Sequence, residues 1–144
     1  MGAVHSTKFT EVGLHGDVVV FTRTLLPYTH AEAFETEVAH WRLHFPASMR
    51  ARRVLVWDLR KSQFGREPAF DPEQVEQHRE LLLHWNTTFV VVRDLGCHLK
   101  VEPVLAQLGL PGSLIHRDLP KLRTILEKTV RDRGLTYSSP IPSL

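Results

Sequence analysis

A chain of 144 residues is the size of one domain, long enough to bury roughly 68–70% of the surface its unfolded form exposes. Hydrophobic and charged shares of 42% and 24% are those of an ordinary globular protein, and a formal net charge of +2 excludes a polyanion-binding composition, so nucleic acid is not an expected partner. Cys97 is the single cysteine, which excludes an intrachain disulfide framework and points to a reducing, cytoplasmic compartment.

The start, MGAVHSTKF, lacks the apolar segment of a signal peptide, and no run approaches the length that crosses a bilayer, so stable membrane insertion is not expected. It does match the short pattern for myristoylation at Gly2, which arises often by chance. The basic groups Arg50, Arg52, Arg53 and Lys128, Arg131, Arg133 read as solvated faces.

In chain order, Phe9 to His15, a Gly16-Asp17 turn and Val18 to Thr24 predict an antiparallel hairpin. Thr29-His30-Ala31-Glu32 is a capping box, opening a helix whose stripe is Phe34, Val38, Trp41 and Phe45 and which Pro46 stops. Arg53 to Leu59 is apolar at consecutive positions, the mark of a strand buried on both faces. After the loop KSQFGREPAF, Asp71 caps a second helix with Pro72 in its first turn, running to about Trp85. Thr87 to Arg93 is the fourth strand.

A helix over Glu102 to Leu108 follows, with Pro103 in its first turn and Gly109 at its end. Ser113 to His116 is a short fifth strand, and Asp118 caps a last helix with the stripe Leu119, Leu122, Leu126 and Val130. Gly134 ends that helix, leaving residues 135–144 as an extended, proline-containing tail with no packed element. The fold class is therefore α/β: one domain over residues 1–134, a single mixed five-stranded sheet formed by a hairpin and then alternating strands and helices. The runs at Val54 to Asp58 and Phe89 to Val92 should lie adjacent in its centre.

This order, with VLVWDLRKSQF as third strand and loop, resembles the STAS domains of the anti-sigma-factor-antagonist type, and more closely the SpoIIAA-like (STAS/SEC14-like) group with its "xVLxDLR" strand. The matching pieces are Arg53 to Arg60 and Ser113 to Leu126 within Phe9 to Glu127. The resemblance implies a non-enzymatic regulatory module that binds a protein partner; a homodimer is compatible with it. Regulated STAS members carry Asp-Ser-Ser-Gly after this strand. Here the stretch is Gln63-Phe64-Gly65-Arg66, so the phosphoserine motif is missing, with Ser62 the nearby hydroxyl.

Partner contacts are expected from Arg60, Ser62, Phe64, Arg66 and Phe70, aromatic anchors among charges outside any core periodicity. Three apolar runs stop at Asp-Leu, placing Asp58, Asp94 and Asp118 at the carboxyl ends of strands, where open α/β sheets bind ligands; Cys97 and His98 share that rim. Three carboxylates suit Mg²⁺ and phosphoryl transfer, but no phosphate-binding loop accompanies them, which favours capping and no cofactor. His40 and His44, with Glu37 one turn earlier, have a spacing that can bind zinc, yet lack the HExxH order and a fourth ligand; a solvated flank and no metal is the reading. Cys97-His98 are sequence neighbours, which seldom face each other, so no thiol catalysis is assigned. The other alternative to partner binding is an apolar-ligand or lipid carrier of the SEC14-like kind, which needs an enclosed pocket of about 300 Å³ or more.

Overall fold

The computed structural model describes residues 5–26, 31–61, 76, 79–110, 114–138, 141 and 144. Val18–Arg23 (β2) pairs antiparallel with Thr10–His15 (β1), from His15↔Val18 to Thr10↔Arg23. The hairpin turns at Gly16, whose φ of +66° suits glycine and whose missing Cβ leaves room for the Thr136 carbonyl. Ala31–His44 (α1) and a one-turn helix, Ala47–Arg50 (α2), lead into Val54–Asp58 (β3). Residues 76 and 79–82 are helical and precede Thr87–Val91 (β4). Leu95–Gln107 (α3), Ile115–His116 (β5) and Leu119–Asp132 (α4) complete the order.

The sheet runs β1-β2-β3-β4-β5, antiparallel between β1 and β2 and parallel from β2 onward. The two continuously apolar runs lie side by side with β3 in the middle, Val54 opposite Thr87 and Val56 opposite Phe89. Each crossover steps the same way along the sheet. Right-handed connections that never reverse put their helices on one face.

Accordingly α1, the turn at 79–82 and α3 share one core with Val19, Phe21, Leu55, Trp57, Val90 and Val92. The alternate residues Val18, Val20, Val54, Val56, Phe89 and Val91 point to the other face, where α4 lays down Leu122, Leu126 and Val130. Burial on both faces is what made β3 and β4 read as unbroken apolar runs.

Several local expectations are corrected. The third long helix begins at Leu95, not Glu102, because Asp94 caps it directly after β4, its Oδ1 accepting from the Cys97 amide at 2.9 Å. Pro103 thus sits inside α3; it lies on the exposed side, where solvent meets the carbonyl left free. The helix before β4 ends at residue 82 rather than about Trp85, and the chain leaves through His84 at φ 71°. Pro46 does not simply stop α1: its extended backbone begins α2.

Arg50 is not solvated. Only 5% exposed, it points its guanidinium at the carbonyls of Glu80, Leu81 and Leu83 that end the 79–82 helix. The tail is also packed. Tyr137 bridges Gly16, the Asp17 carboxylate accepts from Thr136 N and Oγ1, and Ile141 and Leu144 are buried among the residues on the α4 face.

The amino-terminal strap folds along the outer edge of β1. Thr7 Oγ1 accepts from Thr10 N at 3.2 Å, Thr7 N donates to Thr10 O at 2.9 Å, and Ser6 Oγ accepts from Val12 N at 2.8 Å. Thr29, Asp71 and the loop residues Ser62, Phe64, Arg66 and Phe70 lie outside the described residues. Among the described residues no helix is long and apolar enough to cross a membrane.

Candidate functional site: the carboxyl edge of the sheet

Strands β2 to β5 run parallel, so Arg23, Asp58, Arg93-Asp94 and Arg117-Asp118 gather along one edge. The Asp58 side chain is 1% exposed, and Arg60 takes it in a two-pronged pair, Nε to Oδ1 at 2.9 Å and Nη2 to Oδ2 at 2.7 Å. The Arg60 amide adds a third bond to Oδ1 at 3.0 Å. Asp118 Oδ1 accepts from the Lys121 amide at 3.2 Å at the start of α4. Each of the three acids therefore holds a backbone amide two or three residues ahead.

Arg93 ties the rim together. Its Nε meets Asp94 Oδ2 at 3.2 Å, Nη1 the Arg60 carbonyl at 3.4 Å, and Nη2 the Cys97 sulfur at 3.4 Å. The Cys97 amide, then the Arg93 guanidinium, hold the Asp94 carboxyl below the usual range. His98 turns the other way: its Nε2 lies 3.3 Å from Glu102, while Nδ1 is buried without a hydrogen-bond partner. Thiol and imidazole, adjacent in sequence, diverge in space.

Asp58, Asp94 and Asp118 are each engaged in local bonds to backbone amides, the capping arrangement that the sequence favoured over a shared cation. Among the described residues no group of three His, Cys, Asp or Glu side chains converges to hold a metal ion.

The histidines of α1 lie on a half-exposed flank that His5 partly covers. The His40 ring contacts the His5 carbonyl at 2.8 Å, and His44 packs at a tilt against His5 and His40 with ring centroids 4.4 and 4.5 Å apart. Glu37 leaves them for the interior, where its Oε2 accepts from Thr10 Oγ1 at 3.3 Å. Burial, then the neighbouring His40 and His5 rings, lower the pKa of His44. Burial lowers those of His15 and His116 as well.

All three folded values lie below the unfolded one of 6.5. Near and below that pH the unfolded chain takes protons first, so stability should be full above about pH 6.5 and decline as pH falls below it. Thermal melts across this range test the sign; a melting temperature that rises on acidification contradicts it.

Glu37 opens a feature that sequence reading missed. With Thr10 and Arg23, also buried, it lines a cavity of about 40 Å³ bordered by Phe21, Phe34, Trp41, Trp57, Leu81 and Leu82. That volume holds two or three waters. It is far short of the roughly 300 Å³ that an apolar carrier needs. The available signal was Glu37 at three and four residues from Phe34 and Trp41, inside the apolar stripe.

The same edge carries exposed apolar groups. Of six exposed large hydrophobics among the described residues, four lie here: Leu25 and Leu26 after β2, Leu95 and Leu99 at the start of α3. Helix α3 is apolar on two sides. Val101 and Leu105 face the core, while Leu95, Leu99 and Pro103 recur every four residues on the exposed side, with Gly96 and Ala106 beside them. By contrast α4 is strongly one-sided, its outer surface made of charged and polar residues. Compared with known protein families, curated proteins and solved structures, the chain finds no match in any of the three.

Proposed function

We propose that the chain is a non-catalytic, regulatory protein-binding module of the STAS/SpoIIAA-like kind, acting in the cytoplasm through the carboxyl edge of its sheet. The hairpin, the VLVWDLR strand and the alternation that follows support the kinship. The observation that carries the binding role is the second apolar face of α3. An apolar stripe on the outer side of a helix whose inner side already packs in the core suits contact with another molecule, and Leu95 and Leu99 are 52% and 62% exposed.

Arg60, the first of the expected partner-contact residues, follows β3 at the same edge, so Arg60 and α3 belong to one surface through the Arg93 bridge. Catalysis is not part of the reading: the rim acids hold amides and guanidinium groups, and the thiol and imidazole point apart.

A photo-crosslinking residue placed at position 99 should capture a protein in native extract, whereas one at position 128, on the outer side of α4, should not. Replacing Leu95 by Ala in the same chain should sharply reduce the adduct without moving the melting temperature. Equal capture at both positions, or none at position 99, overturns the proposal.

A further inference from the structure

We infer that the amino-terminal strap is an acid-released latch on the border of β1: uncharged His5, His40 and His44 hold residues 5–7 in place, and protonation of the cluster lets them go. The strap has two kinds of attachment. Along β1 it is held by hydroxyl and backbone bonds, Ser6 Oγ to the Val12 amide and Thr7 to both backbone groups of Thr10. Against α1 it is held at His5, whose carbonyl accepts from His40 Nε2 and whose ring lies against those of His44 and Phe45.

The first attachment is indifferent to pH near neutrality and the second is not. Because a carbonyl only accepts, His40 Nε2 carries a hydrogen whether or not its ring is charged, so this bond survives protonation. The sensitive contacts are those between rings. His44 touches both other imidazoles, with centroids 4.4 Å from His5 and 4.5 Å from His40, so charges on two adjacent rings repel at close range.

Charges that could offset this repulsion are directed elsewhere. On α1, Glu37 turns into the core toward Thr10, Glu35 lies on the far side of the helix from His44, and Arg42 pairs with Glu80. On β1, Glu11 shares the opposite face with His15, whose ring reaches back beside Gly13. Lys8 of the strap lies over the Phe9 ring and adds positive charge. Burial, then the His40 and His5 rings, accordingly lower the pKa of His44 from 6.5. The closed latch binds fewer protons than the open one, so it is fully closed above about pH 6.5 and loosens below it. The backbone groups of Thr10 and Val12 then pass from the strap to solvent, and access to this border of the sheet becomes a function of pH.

The test is quenched-flow hydrogen exchange read by NMR on the full chain, at about pH 7.5 and about pH 5.5, expressed as protection factors so that the intrinsic pH dependence of exchange is divided out. Protection of the Thr10 and Val12 amides should fall by about tenfold or more on acidification, while that of Val20 and Val56 in the interior strands falls much less. His44→Phe and, separately, His5→Phe keep a ring and remove its charge; in each the acid step at Val12 should shrink to about twofold or less. Ser6→Ala should leave the Val12 amide unprotected at both pH values.

Unchanged protection of Val12 at about pH 5.5 overturns the inference. So does an equal loss at all four amides, which is loosening of the whole domain rather than of the strap. An acid step that persists in both phenylalanine variants removes the histidine cluster as its cause, and a Val12 amide still protected in Ser6→Ala removes the strap as its cover.

Discussion

Replacing Arg50 by methionine is expected to destabilise the protein by about 2–4 kcal/mol, because the guanidinium is the donor to the carbonyls that close the 79–82 helix. Methionine keeps the apolar stem and removes the donors, so the Glu80 and Leu83 carbonyls lose the guanidinium in a half-buried setting, while the Leu81 carbonyl keeps the Trp85 indole N–H at 2.8 Å. Burial also lowers the pKa of this guanidinium, opposed by the Glu80 carboxylate. At the scale of a 150-residue domain such a loss corresponds to a fall of roughly 10 °C in melting temperature. Arg50→Lys should recover part of it, since one ammonium cannot serve the spread of carbonyls that a planar fork does. A methionine variant that melts within about 1 °C of the parent would show that the arginine is incidental.

The second large effect is expected in the tail. Ile141→Ala should cost about 2–4 kcal/mol, the range for emptying a buried aliphatic site. Ile141 is 2% exposed and packs with Val18, Val20, Val54, Val56, Leu122 and Leu126 beneath the sheet. The turn around it is fixed by Leu144 N donating to the Ile141 carbonyl at 3.0 Å and by Arg123 Nη1 donating to the Leu144 carbonyl at 2.5 Å. Denaturant unfolding of the alanine variant measures the loss directly. Wild-type stability in that variant would mean that the tail merely rests on the surface.

These two residues mark where sequence reading stops. Arg50 and Ile141 carry no local pattern: one is an arginine among arginines, the other an isolated apolar residue between prolines, and each is explained only by a partner far away in the chain. The strands were legible because burial on both faces forces unbroken apolar runs, and α4 because one face is buried and the other wet. Helix α3 was misplaced for the reason that makes it interesting. Its leucines lie on both sides, so no single stripe announces its start, and Pro103 mimics a first-turn residue.

At the rim the sequence correctly indicated that Asp58, Asp94 and Asp118 serve their own backbone, since a short acid after a strand bonds locally. It could not indicate the Arg93 bridge to the Arg60 carbonyl or the inward turn of Glu37, which depend on how distant segments meet. It also treated His40 and His44 as a solvated flank, because the residue that partly covers them, His5, lies far away in the chain.

The strap along β1 bears on how this sheet meets others of its kind. Every open sheet has two borders at which a foreign chain can add a strand, and long bare borders are where proteins polymerise. Here one border is only two residues long, at Ile115–His116, and on the other Ser6 and Thr7 already occupy the outward-facing groups of Thr10 and Val12. Strand-by-strand growth into fibrils finds only a short ladder at one border and an occupied one at the other, so backbone pairing between copies is disfavoured on both sides of the sheet.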